Sequence, residues 1–163
     1  MNENPLHVLV LCTGNSCRSI LGEALLNHFG AGRLLAFSAG SHPVSKVNPN
    51  ALATLARHGL PTEGYSSKSW DALEDTRIDM LITVCDSAAG ESCPVYLGSA
   101  VRGHWGLPDP AHVTGSHELV EAAFEETYAA LERRIHNLLA LPLETMAGPE
   151  LAAELNRIGA ETP

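Results

Sequence analysis

The sequence predicts an α/β fold, a four-stranded parallel sheet in the order 2-1-3-4 with helices on both faces. Three observations predict it. Residues 8–11 and 79–84 are almost unbroken apolar runs, the pattern of strands buried on both faces. Segments with apolar residues three and four apart, the amphipathic-helix period, alternate with the strand-like runs. Such alternation builds parallel sheets through right-handed crossovers.

Each element follows from local chemistry. Strand one, residues 8–11, stops at Cys12, and a helical stripe of Ile20, Leu21, Ala24, Leu25 and Phe29 runs to Gly30. Residues 33–38 read as strand two, closed by the turn Ala39-Gly40-Ser41. Asn48 caps a helix with Pro49 in its first position; it carries Leu52, Leu55 and Ala56 and ends at Gly59. A polar stretch follows, with a helical turn around Trp70 to Leu73, and then strand three, residues 79–84, ends on Cys85. Residues 101–105 form a weaker fourth strand. Ser116 caps the longest helix, about 117–140, with the stripe Val120, Ala123, Phe124, Tyr128, Leu131, Ile135, Leu138 and Leu139. Residues 1–142 are thus expected as one catalytic domain. Residues 143–163 are expected as a C-terminal extension holding one short helix, 150–158, and otherwise a surface tail.

Composition narrows the function. A chain of 163 residues buries a full core without staples. Its net charge of −9, with only 10 Lys and Arg, argues against nucleic acid or anionic membrane as a partner. No signal peptide and no membrane-length segment is expected. Four cysteines in a chain that looks cytoplasmic suggest catalysis, redox work or metal rather than a disulfide framework. A monomer is the default expectation.

The chemistry concentrates in Cys12-Thr13-Gly14-Asn15-Ser16-Cys17-Arg18-Ser19, between strand one and the first helix. A short loop before a helix N-terminus turns several backbone N–H groups into one concavity, where the helix dipole adds positive character. Gly14 and Asn15 tolerate positive φ. A tetrahedral oxyanion fits such a cradle, and Arg18 could fork onto two of its oxygens. The same field would favour a thiolate at Cys12, moving its pKa from about 8.5 towards the ~3.5–7.5 range of activated cysteines. The loop lacks the Gly-Lys-Ser/Thr ending of an ATP-type phosphate loop. The bland alternative is a buried cysteine at a strand end and a solvated arginine.

In a 2-1-3-4 sheet the ligand crevice lies between strands one and three, so Cys12 and Cys85 would face each other there, with Asp109 on the same edge. Three cysteines could then pass electrons: Cys12 attacks the oxyanion, Cys85 attacks Cys12, and Cys93, on a loop of small residues, attacks Cys85. Asp109 is a candidate general acid, with an Asp-Pro turn as its ordinary alternative. Cys17 reads as packing. Zinc is a weak alternative, because Cys85 and Cys93 are not a tight ligand pair. The eight histidines are dispersed and carry no assigned role.

These residues resemble the low-molecular-weight protein tyrosine phosphatase fold family: the Cys12–Ser19 loop between strand and helix, Ser38-Ala39-Gly40, and Asp109-Pro110. Within it, Val84-Cys85-Asp86 with Cys93-Pro94, and His104-Trp105-Gly106-Leu107-Pro108-Asp109-Pro110, look like the thioredoxin-coupled arsenate reductases. The phosphatases typically carry a tyrosine soon after Asp-Pro, where this chain has Ala111-His112-Val113. The resemblance implies arsenate reduction in arsenic detoxification, with Cys12 as nucleophile, Arg18 and the loop amides holding arsenate, and Asp109 protonating the leaving oxygen. It implies a Cys85–Cys93 disulfide, reduced by thioredoxin or by glutathione with glutaredoxin. No tightly bound cofactor is expected; a potassium ion near Asn15, Glu23 and Ser38 is a further implication. A phosphomonoester hydrolase using only Cys12, Arg18 and Asp109 is the alternative activity. A non-catalytic oxyanion-binding or redox-sensing module is the alternative class.

Overall fold

Residues 8–11 are fully buried and lie in a strand with a neighbour on each side. In the computed structural model, which describes residues 5–85 and 94–161, β1 (Leu6–Leu11) pairs with β2 (Leu34–Ala39) from Leu6 opposite Leu34 to Leu11 opposite Ala39. On its other side β1 pairs with β3 (Met80–Thr83), Val8 opposite Met80. β4 (Val101–His104) then pairs with β3, Met80 opposite Val101. All pairs are parallel and the order is β2-β1-β3-β4, as the sequence predicts.

The helices fall where periodicity and caps put them. α1 (Arg18–Phe29) ends at Gly30, whose N–H bonds Leu26 O. Asn48 caps α2 (Pro49–Arg57) through the Asn50 N–H, and Ser116 caps α3 (His117–Leu139) through the Leu119 N–H. Trp70–Leu73 is a single 3-10 turn. α3 packs on α1 and α2, burying Phe124, Tyr128, Leu131, Ile135 and Leu138. Arg134 is buried with them and donates to the carbonyls of Trp105 (3.0 Å) and Gly106 (3.3 Å), fixing the chain as it leaves β4.

The C-terminal segment differs from the expectation of a surface tail around one short helix. α4 (Gly148–Glu161) is longer than residues 150–158 and lies against β4, burying Leu151, Leu155 and Ile158. Contact is close because Gly103 faces Leu155 without a side chain of its own. The fully enclosed Trp105 donates its indole N–H to Leu155 O (2.9 Å).

Both edges of the sheet are closed by an asparagine from a helix. Asn27 of α1 accepts from the Ala36 N–H (2.8 Å) and donates to Ala36 O (3.1 Å) on β2. Asn156 of α4 accepts from the His104 N–H (3.0 Å) and donates to Arg102 O (3.4 Å) on β4. Edge backbone that would otherwise invite another strand is thereby satisfied. No helix among the described residues is long and apolar enough to cross a membrane.

Candidate active site

The loop from Cys12 to Cys17 leaves β1 and enters α1 with its carbonyls tied outward. Thr13 O accepts from the His42 N–H (2.9 Å), Gly14 O from the Val44 N–H (3.1 Å) and the Ser67 hydroxyl (3.0 Å), and Ser16 O from the Asn48 N–H (3.0 Å). The described chain has no cis peptide. In a trans peptide the C=O of one residue and the N–H of the next point in opposite directions. The amides of Gly14, Asn15 and Cys17 are therefore turned inward, towards Cys12 and the start of α1. The N-terminus of α1 has no side-chain cap, which leaves its amides for a ligand.

Asn15 makes the turn. It sits at φ +47°, in the left-handed region that asparagine tolerates better than most residues. It is fully buried, donating to Ser19 Oγ (2.8 Å) and accepting from the Lys68 N–H (2.8 Å). Gly40 closes the back of the loop, since a Cβ there would collide with the carbonyl oxygens of Thr13 and Cys12.

A family model for "Low molecular weight phosphotyrosine protein phosphatase" matches residues 7–154. The chain belongs to this family. Its relatives include an arsenate reductase of Bacillus subtilis, 31% identical over 133 residues, 82% of this chain and 94% of that one. Among solved structures, an arsenate reductase of Archaeoglobus fulgidus superposes with a TM-score of 0.67 at 26% identity, covering 82% of this chain and 99% of its own. A thioredoxin-dependent arsenate reductase of Corynebacterium glutamicum gives 0.60 at 26% identity, covering 86% and 63%.

Within this family member, Cys12 and Cys85 come together at the carboxyl ends of adjacent strands. The two thiols share a hydrogen bond, and Cys85 Sγ also accepts from the Thr13 N–H (3.4 Å). Their proximity overturns the expected Cys12 thiolate. The Cys85 hydrogen bond and burial together drive the Cys12 thiol well above its ordinary value, outweighing Arg18 and the Gly14 amide. Arg18 is engaged elsewhere: one guanidinium nitrogen donates to Leu107 O (2.9 Å) and another pairs with Asp109 at 3.5 Å. Its Nε is buried and has no partner among the described residues.

Asp109 stands at the junction of its two expected roles. It caps the 3-10 turn Pro110–His112 through the Ala111 N–H (3.0 Å), as an Asp-Pro turn should. It also faces the loop, accepting from the Cys17 thiol (3.4 Å) beside Arg18. Cys17 is thus more than packing. Burial and Asp109 push its thiol up to about 12, which keeps it a donor. His112, unassigned from sequence, lies 3.4 Å from Asp109.

Sequence reasoning misses Arg134, which fixes the segment leading to Asp109. Its signal is an arginine set within the apolar stripe of the longest helix, between Leu131 and Leu138. A cleft of about 360 Å³ lies behind Asp109, lined by Pro110, Val113, Thr127 and Ala130, and neither Cys12 nor Arg18 borders it. Cys93 lies outside the described residues.

Of the residues named for a potassium ion, Glu23 and Ser38 meet, while Asn15 bonds elsewhere. Asn15 Oδ1 accepts the Lys68 N–H, and the buried Ser38 hydroxyl donates to Glu23 Oε1.

Proposed function

We propose that this protein reduces arsenate to arsenite through a cysteine relay that starts at Cys12. The observation that carries the proposal is the thiol of Cys85 hydrogen-bonded to Cys12 in the oxyanion-type loop. Ester hydrolysis requires one nucleophile, an arginine and an acid. A second thiol at bonding range is needed only if the first sulfur is itself to be attacked.

In this reading arsenate enters the cradle and draws the Arg18 guanidinium from Asp109 onto its oxygens. The Cys12 sulfur bonds arsenic as an As–O bond breaks. The thiol proton leaves with that oxygen as water, carried by way of Asp109. A protonated resting Cys12 therefore supplies the proton that the leaving group requires. The Cys85 sulfur next attacks Cys12, forming a Cys12–Cys85 disulfide while two electrons of the S–As bond go to arsenic, which departs as arsenite. Cys93 attacks Cys85, regenerating the Cys12 thiol, and an external dithiol of the thioredoxin type in the cytoplasm reduces the Cys85–Cys93 disulfide. Glutathione with glutaredoxin is the alternative donor. Phosphate suits the cradle equally, but thiols do not reduce its phosphorus.

NADPH oxidation by the protein with thioredoxin and thioredoxin reductase tests the proposal. Arsenate-dependent multiple turnover that disappears in Cys12→Ser and in Cys93→Ser is the expected result. Turnover only with glutathione and glutaredoxin would change the donor and leave the arsenic chemistry intact. No turnover with either reductant, beside rapid aryl-phosphate hydrolysis unaffected by Cys85→Ser, would make the protein a phosphatase, the reading that its family name favours.

A further inference from the structure

We propose that His112 is a positioning residue for Asp109, its imidazolium taking over the carboxylate oxygen that Arg18 releases when an oxyanion binds. The role rests on the oxyanion reading of the Cys12–Cys17 loop. Asp109 Oδ2 has two basic neighbours, Arg18 Nη2 at 3.5 Å and His112 Nε2 at 3.4 Å. Its Oδ1 accepts from two neutral donors, the Ala111 N–H (3.0 Å) and the Cys17 thiol (3.4 Å). Withdrawal of Arg18 towards a bound anion would leave this carboxylate facing a second negative charge with no cation of its own. His112 is the basic group that stays behind.

Local geometry keeps it there. Pro110 is buried and presets the backbone of the 3-10 turn, and the His112 N–H closes that turn on Asp109 O (3.1 Å). The imidazole therefore rises from the turn that Asp109 itself caps. Its side chain is 85% exposed against 20% for Asp109, so the histidine exchanges protons with water while the carboxylate is sheltered. The other charged or titratable groups facing the pair are Arg18 and Cys17 on the loop side, and Glu126 and Arg133 of α3, on which the turn packs. None of these is of a type that titrates near neutrality, and histidine is. A protonated His112 lets Arg18 leave Asp109 at less cost, so oxyanions should bind more tightly in mild acid.

Sulfate binding tests this by titration calorimetry at about pH 5.5 and about pH 8, on either side of the ordinary histidine range, at one ionic strength. Sulfate is a tetrahedral dianion whose own charge is the same at both. The wild-type protein is expected to bind it about tenfold more tightly at the lower pH, a difference usual for coupled sites. His112→Gln should lose most of that difference, and His112→Arg, permanently charged, should bind tightly at both. In an Asp109→Asn background, His112→Gln should change nothing further, because the pair is already broken. The same pH dependence in wild type and His112→Gln would overturn the proposal. So would an effect of His112→Gln that persists beside Asp109→Asn, which would make the histidine a diffuse positive charge near the loop. Sulfate binding involves no arsenic chemistry, so an absence of arsenate turnover would defeat the reductase reading and leave the His112 result standing. No sulfate binding at either pH would overturn both the oxyanion loop and the role of His112.

Discussion

Cys12 and Cys17 share one loop and the same 5% exposure, yet the fold gives them opposite company. Cys12 ends a central strand and meets the thiol of Cys85. Cys17 immediately precedes α1 and meets the carboxylate of Asp109. Burial raises both thiols, and the neighbour then determines what each sulfur can do. Beside another thiol, a sulfur can be attacked and released. Beside a carboxylate, it stays protonated and holds that carboxylate in place. Under the proposed relay, the same residue type in the same loop therefore divides into a reactive and a positioning half.

The largest expected effects separate those halves directly. Cys12→Ser should abolish turnover, whereas Cys17→Ser, which keeps a donor for Asp109, should retain most of it. Arg18→Ala, which removes the forked donor of the cradle, should lower kcat by about 10²–10³. Steady-state assays of the three variants suffice, and equal losses in Cys12→Ser and Cys17→Ser would dissolve the distinction.

Next in size is the coupling of Cys12 to Cys85. If the thiol–thiol hydrogen bond is the main cause of the raised Cys12 pKa, Cys85→Ala should bring it down. At a pH below that pKa, alkylation of Cys12 by iodoacetamide should then run about tenfold faster for every tenfold gain in the thiolate fraction. An unchanged alkylation profile would assign the effect to burial alone.

Alkaline stability sharpens the Cys17 side. Its folded pKa of about 12 lies above the ordinary 9.0, so the neutral thiol stabilises the fold below pH 9 and that contribution is lost as pH rises towards 12. Urea midpoints should fall across this window, with the raised Cys12 thiol acting in the same direction. Cys17→Ala should show a shallower fall than the wild type; an identical slope would remove Cys17 from the linkage.

The smallest effect is expected from Asp109→Asn on Cys17. Removing the carboxylate charge takes away the second cause of the raised thiol and leaves burial in place. The titration midpoint of Cys17 should drop modestly. An unchanged midpoint would mean that burial accounts for the whole.

Much of this molecule was legible in sequence because it is written in local patterns. Apolar runs set β1 and β3, and Asn48 and Ser116 mark the caps that the structure contains. The strand–loop–helix spacing identified the Cys12–Arg18 loop, and the alternation of elements pointed to a parallel sheet. Less legible were contacts between segments distant along the chain. The Arg18–Asp109 pair, the Cys17–Asp109 hydrogen bond and the Lys68–Asn15 link join residues with no periodic relation.

Sequence alone therefore determined the element types, the parallel sheet and the position of the Cys12–Arg18 loop between strand and helix, because strand burial, helix periodicity and capping act over a few neighbouring residues. Tertiary structure alone decided the state of the groups in that loop. Cys12 is a raised thiol and no resting thiolate because Cys85 and burial outweigh Arg18, a balance that depends on distances no local pattern encodes. It likewise decided that the helix of residues 148–161 packs Leu151, Leu155 and Ile158 into the core, through the close approach of Leu155 to Gly103. Short-range stereochemistry is carried by neighbouring residues, whereas charge state and packing depend on whichever distant groups the fold brings near.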